Sequence, residues 1–237
     1  MTSPQTWMIT GANRGLGRAL TLAALDAVER AVVRHGRLDV LVNNAGYGLI
    51  GAIEEVSEDD ARAIVDTNTL GPLWLSQAVI PIMRNQGSGH IVQVSTVGAV
   101  GTMPLLGLYN ASKWGLEAFS EAMAAEVAAF GIRVTLLEPG ELDTEWAGAS
   151  MQFSSPSTAY DELRTGMFGT AEIPWPAGAS GGGTTPEAAA AAILAHVASE
   201  DDERFRVLIG DDAPVQVHAA LDQRRQDYAR DPRYPVG

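Results

Sequence analysis

No cysteine occurs in the 237 residues. That excludes a disulfide framework and a thiolate metal site, so no metal is expected, and it fits a cytoplasmic enzyme. No uncharged apolar run reaches the roughly 18 residues that a membrane span needs. The opening stretch, Met1 to Trp7, lacks the basic-then-apolar layout of a secretion signal. Positive charge is scarce: 16 basic residues against 29 acidic ones leave a net charge of −13. Such a surface repels a phosphate backbone, so nucleic acid is not an expected partner. Scarcest of all is lysine. Fifteen of the basic residues are arginine, and Lys113 alone is lysine. The two exchange on most surfaces but not where a compact point charge must fit a tight site, which makes Lys113 a candidate for chemistry.

What is present reads as a globular α/β chain, 46% hydrophobic and 19% charged, long enough for one large domain spanning 1–237. Short apolar runs ending in turn residues predict buried strands. They are Trp7 to Thr10 before Gly11, Val40 to Asn43 before Ala45-Gly46, His90 to Val94, Arg133 to Glu138 before Pro139-Gly140, and Arg206 to Ile209 before Gly210. Helical stretches alternate with them. Arg18 to His35 contains neither Gly nor Pro. A second helix opens at Ser57, with Asp60 as a loose capping box, and runs toward Asn85 with a bend near Gly71-Pro72. Tyr109 to Phe130 is ended by Gly131, Thr185-Pro186-Glu187 starts another, and a last helix covers 214–229. Alternation of this kind predicts a parallel sheet covered on both faces. Residues 145–185 change character, with aromatic and methionine side chains at Trp146, Met151, Phe153, Tyr160, Met167, Phe168 and Trp175. They read either as a lid over a fairly apolar substrate or as core packing.

Four short patterns stand at strand ends or helix starts. In Thr10-Gly11-Ala12-Asn13-Arg14-Gly15-Leu16-Gly17 the glycines permit a tight turn and close approach to a pyrophosphate at a helix N-terminus. Asn43-Asn44-Ala45-Gly46 is a second small-residue turn, and Ser95-Thr96 places hydroxyls at a third strand end. Tyr109 and Lys113 are four residues apart and share one helix face. A phenol titrates near 10, and an ammonium beside it favours phenolate, which would suit general acid/base work on a carbonyl or alcohol oxygen. Taken alone, each pattern also describes an ordinary turn, or a tyrosine packed over a lysine stem.

Taken in order, these patterns resemble the short-chain dehydrogenase/reductase family, from Thr10 to about Asp211, with Asn68-Thr69-Leu70-Gly71 and Pro139-Gly140-x-x-x-Thr144 completing the set. The resemblance implies a Rossmann-like doubly wound sheet and an NAD(P)-dependent oxidoreductase acting on a small carbonyl or alcohol. It assigns proton exchange to Tyr109, phenol activation and ribose binding to Lys113, carbonyl orientation to Thr96 or its neighbour Ser95, and a proton relay to Asn68. Cofactor contacts fall on Gly11, Asn13, Arg14, Gly15, Leu16, Gly17, Asn43, Ala45, Gly46, Tyr109, Lys113, Pro139, Gly140 and Thr144. Arg14 leans the cofactor toward NADP over NAD. A homo-oligomer is implied through the helices around 58–85 and 109–130.

One departure stands out. Between the glycine loop and Asn43 the family has more helices and strands than Arg18 to His35 can supply. Three readings are open: a segment is missing from the sequence as given, a segment has been excised, which is the favoured reading, or the sheet is rebuilt with its first strand at an edge. Absence of those elements would remove the adenosine side of the cofactor site, which leaves a non-catalytic relative as the alternative function. A right-handed crossover between adjacent strands would also put the connecting helix on the opposite sheet face from the family's first helix. Asp39 lies about 20 residues past the glycines, as a ribose-binding acid would, but it enters a strand instead of leaving one.

Overall fold

A computed structural model describes residues 5–11, 28, 32–143, 151–173, 183–199 and 201–235. The main sheet is formed by β1 (Trp7–Ile9), β2 (Val40–Asn43), β4 (Gly89–Val94), β5 (Ile132–Pro139) and β7 (Arg206–Ile209), in the order β1-β2-β4-β5-β7. All four pairings are parallel. Parallel strands covered on both faces have no side to offer water, and so β2 is buried at every residue. Alternate side chains go to opposite layers. Leu41, Ile91 and Val134 pack with Val79 and Met83 of α2 (Gly71–Gln86) and with Met123 and Val127 of α3 (Gly107–Val127). Val40, Val42, Val92 and Leu137 pack instead with Ala189, Ile193 and Val197 of α5 (Pro186–Ala198). The sheet is therefore doubly wound.

Helix starts follow the sequence signals. Ser57 caps α1 (Glu58–Val65) by accepting from the Asp60 N–H at 3.1 Å, and Thr185 caps α5 through Ala188 at 3.3 Å. The bend expected near Gly71-Pro72 takes the form of a π-helical turn over Asp66–Leu70, closed by the Gly71 N–H on the Asp66 carbonyl. Proline cannot donate to the ladder, and the wider turn absorbs the mismatch before α2 begins. At the far end of α3, Gly131 has φ 70°, a conformation that favours glycine.

Among the described residues β1 is an edge strand, paired only to β2. An excised segment and a rebuilt sheet both lead to this edge position. Val28 and Val32 belong to the layer of α2 and α3, the face that a right-handed crossover between adjacent strands selects.

Two features were not foreseen. A second, two-stranded parallel sheet pairs β3 (Gly48–Ile50) with β6 (Met151–Phe153), Gly48 opposite Met151. It is tied down by Arg164 of α4 (Asp161–Phe168), whose guanidinium is 1% exposed and lies 2.9 Å from Glu55 and 2.8 Å from Asp161. The other is a buried polar chain on the α5 face. His90 Nε2 is 2.9 Å from the Thr135 hydroxyl, which is 3.0 Å from His196 Nε2, and His196 Nδ1 is 2.7 Å from Asp202. The Thr135 hydroxyl can donate to one ring and accept from the other, so it links the two histidines across β4, β5 and α5. The last helix, α6 (Ala213–Tyr228), follows β7.

Candidate active site

Because the main strands are all parallel, their C-terminal ends share one edge, and Thr10-Gly11, Asn44 to Gly46, Ser95-Thr96 and Pro139-Gly140 all stand on it. The first two turns interlock. Thr10 Oγ1 accepts from the N–H groups of Asn44 and Ala45, each at 3.1 Å. Gly11 has φ 86°, and a Cβ there would come within 2.8 Å of the Ala45 backbone, so only glycine fits.

Helix α3 brings Tyr109 and Lys113 to this edge on successive turns, 7% and 5% exposed. The Lys113 ammonium donates to the Val94 carbonyl at 2.8 Å, pinning the helix to the end of β4. It also lies beside Gly46, where a Cβ would come within 3.2 Å of Nζ and 3.1 Å of Asn68 Oδ1. The backbone at Gly46 therefore forms a cradle that a side chain would fill. Asn68, on the π-helical turn, is fully buried. Its amide donates to the Tyr47 carbonyl at 2.9 Å and to Ser112 Oγ at 3.0 Å, and its oxygen accepts from the Tyr47 N–H at 3.1 Å. Asn68 thus locks the turn after β2 onto α3.

The two candidate hydroxyls diverge, as neighbours at a strand end should. Thr96 hydrogen-bonds the Tyr109 oxygen while accepting from the Gly98 N–H at 3.2 Å. Ser95 faces the other way and donates to Glu117 Oε1 at 2.5 Å. Burial pushes the Tyr109 phenol up to about 12, with the Thr96 hydrogen bond pulling against it. Burial brings Lys113 down to about 8, with Glu117 opposing. The expectation of a phenol made acidic by its ammonium neighbour is thus corrected. Desolvation is the largest influence on the phenol at this site and acts to raise it.

Other expected residues fall as follows. Asn43 is corrected: its side chain is 2% exposed and turned into the α2 layer, donating to Gln93 at 2.9 Å. Gly140 stands at the end of β5, where a Cβ would strike the Asp212 carboxylate, and Pro139 closes the strand before it. Asp39 binds the Thr6 N–H at 2.7 Å and Arg37 at the opposite sheet edge. Asn13, Arg14, Gly15, Leu16, Gly17 and Thr144 lie outside the described residues. Sequence reasoning missed Glu117, although its position one turn beyond Lys113 on the same face was a usable signal.

An apolar wall adjoins Tyr109. Leu49, Ile50, Leu105, Leu106 and Met151 are buried with it, and Phe153, Tyr160, Met167 and Phe168 pack around them. Leu105 holds φ 67°, a strained backbone for a leucine, fixed where its carbonyl accepts from the Gly51 N–H at 2.9 Å.

Residues 21–154 match the sequence profile of the short chain dehydrogenases. An oxidoreductase of Botryotinia fuckeliana, BOA17, is 35% identical over 249 aligned positions, covering 87% of this chain and 89% of the relative. The 237-residue chain cannot fill 249 positions, so that relative carries residues this chain lacks. A crystal structure of a short-chain dehydrogenase from Streptomyces avermitilis is 33% identical with TM-score 0.77, covering 91% of this chain and 75% of that one. A metagenomic short-chain oxidoreductase solved in complex with NADP is 31% identical with TM-score 0.50, over 53% of this chain and 57% of that one.

Proposed function

This chain belongs to the short chain dehydrogenase family of NAD(P)-dependent oxidoreductases, and from that premise we propose that Tyr109 exchanges the proton with the oxygen of a fairly apolar carbonyl or alcohol substrate, in a single catalytic domain whose segment around 145–185 covers that substrate. The observation that carries this is the convergence of Tyr109, Thr96, Lys113 and the Gly46 cradle at one sheet edge. NAD or NADP, when bound, supplies or takes the hydride. Gly11, Ala45, Gly46, Lys113 and Gly140 would hold it, and Gly46 fits that task because its bare backbone faces the ammonium at the strand tips. Thr96 orients the substrate oxygen toward the phenol. With the phenol at about 12 and the ammonium at about 8, the resting site is set to donate a proton, which suits carbonyl reduction at neutral pH. The apolar wall around Tyr109 excludes water and favours a hydrophobic substrate body. A homo-oligomer through α2 and α3 and a cytoplasmic setting complete the reading; among the described residues no helix is long and apolar enough to cross a membrane.

The edge position of β1 favours a second reading, a relative that has lost tight cofactor binding and turnover. Titrating NADH and NADPH fluorescence separates the two, since that relative leaves both dinucleotides free at millimolar concentration. The first reading predicts binding, turnover on a panel of ketones and aldehydes, and a fall in kcat of about 10²–10⁴-fold in Tyr109→Phe. An unchanged kcat would overturn the proton role.

A further inference from the structure

We propose that Glu117 is a positioning residue for this site, a buried carboxylate that holds Lys113 in its charged form and fixes the strand end carrying Thr96. The proposal rests on the reading of Tyr109, Lys113 and Thr96 given above.

Glu117 lies one turn beyond Lys113 on α3 and is 7% exposed. Carboxylates are seldom buried this far without partners, and here the partners point to a task. Ser95 donates to Oε1 at 2.5 Å. The Ser95 N–H is itself bonded to the Leu137 carbonyl at 2.8 Å, so the contact anchors the residue next to Thr96 to the helix that carries Tyr109. From β7, Arg206 brings Nε to 3.8 Å from Glu117 Oε2 and 3.2 Å from Glu138, with its outer nitrogen 2.8 Å from Glu121. The groups facing Glu117 are therefore Lys113 and Glu121 from its own helix, Ser95 beyond β4, Glu138 from β5 and Arg206 from β7.

The charges are arranged in sequence through the layer. Burial raises the proton affinity of Glu117, and Arg206 works against that. Glu117 in turn works against the burial that brings Lys113 down to about 8. A lysine so close to neutrality changes its charge state under small perturbations, and Glu117 is the carboxylate nearest to it along the helix. A residue serving packing alone would need neither the charge nor the Ser95 contact.

Lys113 is the chain's only lysine, so protein grown on lysine labelled at the ε-carbon gives one side-chain NMR signal. Its titration reads the charge of Lys113 with no need for turnover. In Glu117→Gln the amide oxygen still accepts from Ser95 while the charge is gone, and the midpoint is expected to fall from about 8 by roughly one unit. Glu117→Asp, which keeps the charge, is expected to restore most of that shift. The unaltered protein provides its own check, because the lysine signal should show a second, acidic inflection as Glu117 takes up its proton. If turnover is measurable, the alkaline limb of kcat/KM moves down by the same amount in Glu117→Gln. A midpoint unmoved in Glu117→Gln, or a wild-type signal with no acidic inflection, would overturn the proposal. Loss of the oxidoreductase reading would instead show as absent turnover with the lysine titration intact.

Discussion

His90 offers a direct test of how burial controls protonation in this fold. Its ring is 5% exposed, and burial, aided by Arg133 and His196, brings it down from 6.5 to about 3. The unfolded chain therefore takes up a proton that the folded chain refuses. For a histidine depressed on folding, full stability holds above about 6.5 and is lost progressively as the pH drops toward 3. Between pH 7.5 and 5 the unfolded state gains about 1.5 pH units of proton binding, or about 2 kcal/mol at 1.36 kcal/mol per unit. Glu138 acts with the opposite sign. Burial raises it to about 7, so its contribution grows as pH falls from 7 toward 4.5. The wild-type profile alone is therefore flattened, and the informative quantity is the difference from His90→Gln, a side chain that still reaches Thr135 and does not titrate. The expected result is that the stability advantage of wild type over His90→Gln shrinks by about 2 kcal/mol between pH 7.5 and 5. In a thermal melt that is a relative shift of about 4–8 °C for a domain of this size. A difference constant across the range would refute the reasoning and mean that His90 accepts its proton while folded.

Two further outcomes follow from the geometry. Thr96→Val removes the hydroxyl against Tyr109 but keeps the shape, and kcat/KM should fall about 10–100-fold on the loss of one hydrogen bond to the reacting group, while Thr96→Ser retains most of it; equal rates in the two variants would exclude the orienting role. Arg164→Met leaves Glu55 buried without its cation, and urea denaturation should show a loss of about 3–5 kcal/mol, whereas a change under 1 kcal/mol would mean that water reaches Glu55.

The main architecture was legible because its signals are local. The buried runs at Val40–Asn43 and Arg206–Ile209 fell where expected, and the caps at Ser57 and Thr185 marked helix starts by side chains that reach their own backbone. Pairings between distant segments carried no such mark. Gly48–Ile50 and Met151–Phe153 are three residues each, too short for a strand periodicity, and each becomes a strand only by finding the other. Asn43 belonged to a turn motif, yet its side chain answers to strand alternation and joins Gln93 in the α2 layer. The choice between Ser95 and Thr96 likewise depended on Glu117, a charged helix residue that in a sequence reads as solvent-facing. The phenol's proton affinity was misjudged because spacing shows which charge is near and not how much water has been removed.

The small sheet has a consequence for the order of events. β3 begins two residues after Gly46, and its only described partner, β6, opens the segment bearing Phe153, Tyr160 and Phe168. Swinging that segment outward must either unzip the three-residue ladder or drag Gly48, and with it the turn against the ammonium. On the proposed reading, in which that segment covers the substrate and the Gly46 turn seats the dinucleotide, admission of one reactant is mechanically geared to the seat of the other, as a drawer sharing a rail with its neighbour cannot slide alone.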